Sequence, residues 1–187
     1  MQLTKLAILM ASGLAQVQAA ALSGRNTTAN SLLYTKVLGP GETLQFWGVP
    51  SPDDATRDWD AGWGLPGPVE APRPTGLQRR CGGNVVHCDG SNLARSDVCE
   101  ALVNDLRNNP RKGIAPNVGA IVRTQGSFQC FVAWHDFVGN MVFGYLISAA
   151  AKTLGTCGPG GTVSGWASDV SLNNVCTNQC MSNAARC

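Results

Sequence analysis

The sequence predicts an α+β fold, a small antiparallel sheet of about four strands packed on two helices and stapled by disulfides. Three observations carry this. Phe128, Cys130, Val132 and Trp134 alternate as one face of a strand. Cys99, Leu102, Val103 and Leu106 recur at helical spacing. All 8 cysteines fall at or after Cys81, an even number crowded into one part of the chain, which reads as a disulfide framework.

The first strand is expected at Val85 to Cys88. Ser96-Asp97 offers a helix N-cap, Glu100 completes a capping box, and Asn109-Pro110 stops the helix. Ala120 to Arg123 and Phe128 to Trp134 read as strands joined by a turn at Gln125-Gly126-Ser127. Asp136 can cap a second helix running to about Leu154, with Gly155 as its stop. Phe137, Met141, Tyr145 and Ala149 lie along one line of that helix. Its apolar character suits a buried central helix, since Gly139, Asn140, Gly144 and Lys152 interrupt any membrane-spanning run. Val170, Leu172, Asn174 and Cys176 alternate as a last strand.

Ahead of this lies a different kind of sequence. Residues 1–21 have the build of a signal peptide: Lys5, an apolar run from Leu6 to Leu14, and small residues at Val17 and Ala19 before cleavage. Residues 22–80 hold no cysteine and read as a pro-segment with a Pro-rich linker. That linker ends in Arg79-Arg80, a dibasic pair suited to a processing protease, directly before the mature cysteine-rich domain, residues 81–187. Asn26-Thr27-Thr28 is a glycosylation sequon. Trp47 to Trp63 holds three tryptophans with Asp53, Asp54, Asp58 and Asp60. Docking of the pro-segment on its own domain through aromatics explains these residues better than a metal site.

The formal net charge of +2 is too small for a broad nucleic-acid-binding face, so no nucleic acid is expected as partner. The expected protein is secreted, without a membrane span, monomeric and free of cofactors and metals. Its eight cysteines Cys81, Cys88, Cys99, Cys130, Cys157, Cys176, Cys180 and Cys187 should all be bridged, in a connectivity the sequence leaves open. Zinc at Cys176, Cys180 and Cys88 is disfavoured in an oxidising compartment. Arg107, Arg111 and Lys112 read as an exposed, solvated basic loop.

The framework Cys81-Gly82-Gly83-Asn84-Val85-Val86-His87-Cys88 is followed by Val98-Cys99-Glu100-Ala101-Leu102 and Cys130-Phe131-Val132-Ala133-Trp134. Gly144-Tyr145-Leu146, Ala149-Ala150 and the ending from Val170 to Asn183 complete it. Together these resemble fungal secreted proteins with a "WD-like" domain, a family unrelated to WD-repeat propellers. The resemblance covers Cys81 to Cys187 and implies a fungal, extracellular, cysteine-rich protein without an assigned activity. The order of elements is also similar to that of fungal necrosis-inducing effectors and of the viral killer toxins of smut fungi.

Two functions follow as expectations. The first is a non-enzymatic effector or toxin-like protein that binds an extracellular target, whether host, competitor or cell-wall component. The alternative is a small secreted hydrolase, ribonuclease first, using His87, His135 and Glu100 with an arginine. Spacing does not unite these groups, so no catalytic residue is assigned. The serine of Gly161-Thr162-Val163-Ser164-Gly165 sits one place late for a nucleophile elbow.

Overall fold

A computed structural model describes residues 30–64 and 81–185. Its frame is an antiparallel sheet of 7 strands, in the order β1-β2-β6-β7-β11-β10-β3. These strands are β1 (Ser31–Gly39), β2 (Glu42–Gly48), β3 (Val85–Cys88), β6 (Val118–Gln125), β7 (Phe128–Trp134), β10 (Gly165–Leu172) and β11 (Val175–Ser182). Two short pairs stand apart: β4 (Ala94–Arg95) with β9 (Thr162–Val163), and β5 (Gly113–Ile114) with β8 (Met141–Val142). Helices α1 (Ser96–Asn108) and α2 (Phe143–Cys157) form a single layer on one face of the sheet.

The sheet is larger than the expected four strands, for two local reasons. Asn173 and Asn174 both adopt positive φ, 45° and 67°, the two-residue turn that a right-twisted hairpin favours. The run from Val170 to Cys176 is therefore a hairpin corner between β10 and β11, not one strand. The cysteine-free segment adds β1 and β2. Within β2, Leu44 and Phe46 alternate inward and are fully buried in the same core as α1, α2 and the central strands.

The helix starts also differ from expectation. Arg95 is the N-cap of α1 and no side chain caps it. Ser96 instead donates its hydroxyl to the Gly158 carbonyl at the end of α2, tying the helices together, and Asp97 pairs with Arg95. Helix α2 begins at Phe143, behind Val142, not at Asp136. Asn140 at φ 53° turns the chain first, and this leaves Phe137 exposed outside the helix. At its far end α2 runs through Gly155 to Cys157, where a disulfide to Cys88 holds the last turn. Among the described residues no helix is long and apolar enough to cross a membrane.

Two disulfides join helix to sheet, Cys88–Cys157 and Cys99–Cys130, and a third, Cys81–Cys176, ties the chain ahead of β3 to β11. Cys180 is disulfide-bonded as well. Cys187, Arg79, Arg80, Asn26 and the signal peptide lie outside the described residues.

Candidate functional site

Buried charges and aromatic rings gather along one seam, where the cysteine-free segment 30–64 meets the cysteine-rich part. Its spine is the pairing of β2 with β6, from Glu42 opposite Gln125 to Gly48 opposite Val118. Gly48 is required there: a Cβ would lie 1.9 Å from the Asn117 carbonyl oxygen. The close approach lets the Val49 amide donate to that carbonyl at 2.9 Å, while Asn117 Nδ2 donates back to the Val49 carbonyl at 2.7 Å.

Two buried cations lock the seam. Arg123 of β6 donates to Glu42 at 2.7 Å and also to Asp105 of α1, so one guanidinium joins segment, sheet and helix. Burial pushes the Asp105 carboxyl above its ordinary value, and Arg123 pulls against that shift. Lys112, expected to be solvated, is only 3% exposed. Its ammonium donates to the Trp59 and Ala61 carbonyls at 2.5 and 2.7 Å and lies 5.6 Å from the Trp63 ring centroid. Burial pushes this amine below its ordinary value. Sequence spacing could not single out Lys112 from Arg111 beside it, which stays exposed with Arg107.

Aromatic rings supply the remainder of the contact. Trp59 stacks on Tyr34 at 5.3 Å and tilts against Phe46, while Trp63 meets Phe143 of α2 edge-on at 5.6 Å. The loop after β2 thus covers the sheet face of β1 and β2 where the helical layer ends. Its aspartates turn to neighbours. Asp54 accepts from Ser51 and Asn117, Asp58 from the Asp60 and Ala61 amides, and Asp60 from Tyr34 and Lys36.

Two cavities open on the seam. The smaller, about 310 Å³, lies between the Arg57–Gly62 loop and the Lys112–Ala115 loop. The larger is a groove of about 510 Å³. One wall comes from Asn30 and Val49–Pro52 of the segment, the other from Pro116–Gly119 and Trp134–Phe137. Phe137 is 73% exposed on its rim, and His135 Nδ1 stands 3.2 Å from Asp136 Oδ1.

The histidines are not brought together. His87 on β3 stacks on Trp166 of β10 at 5.1 Å, and register carries that row through Cys180 to Ala133 of β7. Three strand spacings separate the two regions, about 14 Å, and His135 lies two residues further along. Glu100 is on α1, in the helical layer. Cys88 and Cys176 are committed to disulfides. Ser164 is buried, with its carbonyl accepting from the Asp89 amide.

Fold and site define a disulfide-stapled, two-layer α+β protein with a groove between a cysteine-free flank and a cysteine-rich body. The model of the Fungal WD-like family matches residues 72–187, and the chain belongs to that family. No curated protein and no solved structure matches it significantly. The family match excludes β1, β2 and the loop after them.

Proposed function

We propose that this is a secreted, non-enzymatic effector or toxin-like protein of fungal type that binds an extracellular target: a host, competitor or cell-wall component. In this reading a signal peptide directs export, Asn26 carries a glycan, a dibasic-specific protease cuts after Arg80, and the protein works as a monomer without a cofactor. The described disulfides fit an oxidising, extracellular setting. The observation that carries the reading is the groove with Phe137 on its rim. A large exposed aromatic beside a concave wall is a common anchor for a partner. The hydrolase alternative rests on the His135–Asp136 contact at that same groove.

Binding of the purified protein to cell-wall and cell-surface preparations, alongside an RNA-cleavage assay, separates the two. Phe137→Ala should weaken binding about tenfold or more with the fold intact. His87→Ala with His135→Ala should retain binding apart from a modest loss. RNA cleavage that falls by several orders of magnitude in the double histidine variant would replace the binding role with catalysis.

A further inference from the structure

We infer that residues 30–64 remain seated as a non-covalent second chain after processing, so that the working protein is a two-chain particle. The inference rests on the processing reading above. It arises because the cysteine-free segment is built into the fold more deeply than a detachable leader needs to be. Hydrolysis of the peptide bond after Arg80 consumes a water and leaves a carboxylate on Arg80 and an amine on Cys81. It breaks none of the interactions that hold residues 30–64.

Those interactions are of three independent kinds. The backbone of β2 pairs with β6 along its whole length, and leaving would turn β6 into a bare edge in the middle of the sheet's core. Leu44 and Phe46 are both 0% exposed, and Phe46 packs against Phe143 of α2 at 6.0 Å. Departure of the segment would also strip the buried Arg123 of Glu42 and the buried Lys112 of both its acceptors. Arg123 would keep Asp105, whereas Lys112 would lose the two carbonyls it donates to, and a cation stripped of its acceptors costs the fold.

The segment contains no cysteine, so no disulfide can hold it after the cut. Its retention is then a matter of strand pairing, packing and charge-assisted hydrogen bonds alone. The larger groove depends on it too, since Asn30 and Val49–Pro52 form one wall. Loss of the segment would remove half of the binding site, and retention keeps the groove intact in the processed protein.

The test uses the full secreted chain, cut in vitro by a dibasic-specific protease with its disulfides intact. A chain which that protease leaves uncut is cut at a recognition sequence inserted between Pro66 and Pro74. Failure of the dibasic-specific protease to cut therefore counts against processing, while retention is still measured. Under native conditions the two fragments should co-elute and give one complex mass. In denaturant without reductant they should separate into two chains. Phe46→Ala should weaken retention roughly a hundredfold or more. Lys112→Met, less disruptive to the core, should weaken it by about tenfold. Clean separation of the cut wild-type fragments under native conditions overturns the inference, whether the cysteine-rich part then stays folded or aggregates.

Discussion

The two flanks of the sheet are held in opposite ways. At one flank, β3 and the chain leading into it are tied down by covalent bonds: Cys88 of β3 to Cys157 of α2, and Cys81 to Cys176 of β11. At the other, β1 and β2 have no cross-link and depend on a buried aromatic cluster, Arg123 and Lys112. The covalent flank packs lightly on its outer strand, where Val85 and His87 are exposed. On the inner strands the two flanks are alike, with Leu44 and Phe46 of β2 and Ala167 and Leu172 of β10 completely buried. A disulfide stabilises mainly by restricting the unfolded chain, so it can secure a strand with little core of its own. A flank without one needs dense packing and satisfied charge.

The contrast is broken most severely by Phe46→Ala. Truncating a fully buried phenylalanine should cost about 3–5 kcal/mol, read by chemical denaturation of the uncut protein. The disulfide flank should show a different signature. Cys88→Ala with Cys157→Ala should cost about 2–5 kcal/mol, and a denaturant midpoint series in which Phe46→Ala is added to it should be close to additive. Strong coupling between the two would mean that the flanks are not held independently.

The smallest effect is an alkaline titration. Burial, and then the hydrogen bond to Asp60, push the Tyr34 phenol up from 10.0 to about 12. Because the folded value is raised, this contribution to stability is present below about pH 10. It is lost as pH rises through about 12. Ultraviolet titration should therefore show a late tyrosinate step that Tyr34→Phe abolishes. The step should persist in the cut protein if the segment stays seated. Its return to the ordinary range after cutting would mark loss of the aromatic contacts.

Much of the cysteine-rich half was legible from residue pattern. Val85–Cys88 and Phe128–Trp134 are strands at the expected bounds, and α1 stops at Asn108 before Asn109-Pro110. Each carries a strong periodic signal or a hard stop. The alternation of Leu44 and Phe46 was an available signal for β2, and Gly41 at φ 73° marks the hairpin turn before it. Prolines and the absence of cysteine nearby drew the reading towards a leader instead. The capping box at Asp97–Glu100 failed because the helix starts ahead of it: Asp97 lies in the first turn and pairs with Arg95, while the Ser96 hydroxyl reaches the Gly158 carbonyl, 62 residues away.

By itself the sequence determined what local chemistry determines: the α+β class, the family framework, and a cysteine-rich body built for disulfides. Only the tertiary structure decided that the segment before Cys81 shares the core, that Lys112 is buried, and that His87 and His135 stand apart. The physical reason is the same in each case. Periodicity records which face of an element is apolar. The partner on that face is chosen by long-range strand order and by which distant carbonyl or carboxylate comes within hydrogen-bonding reach.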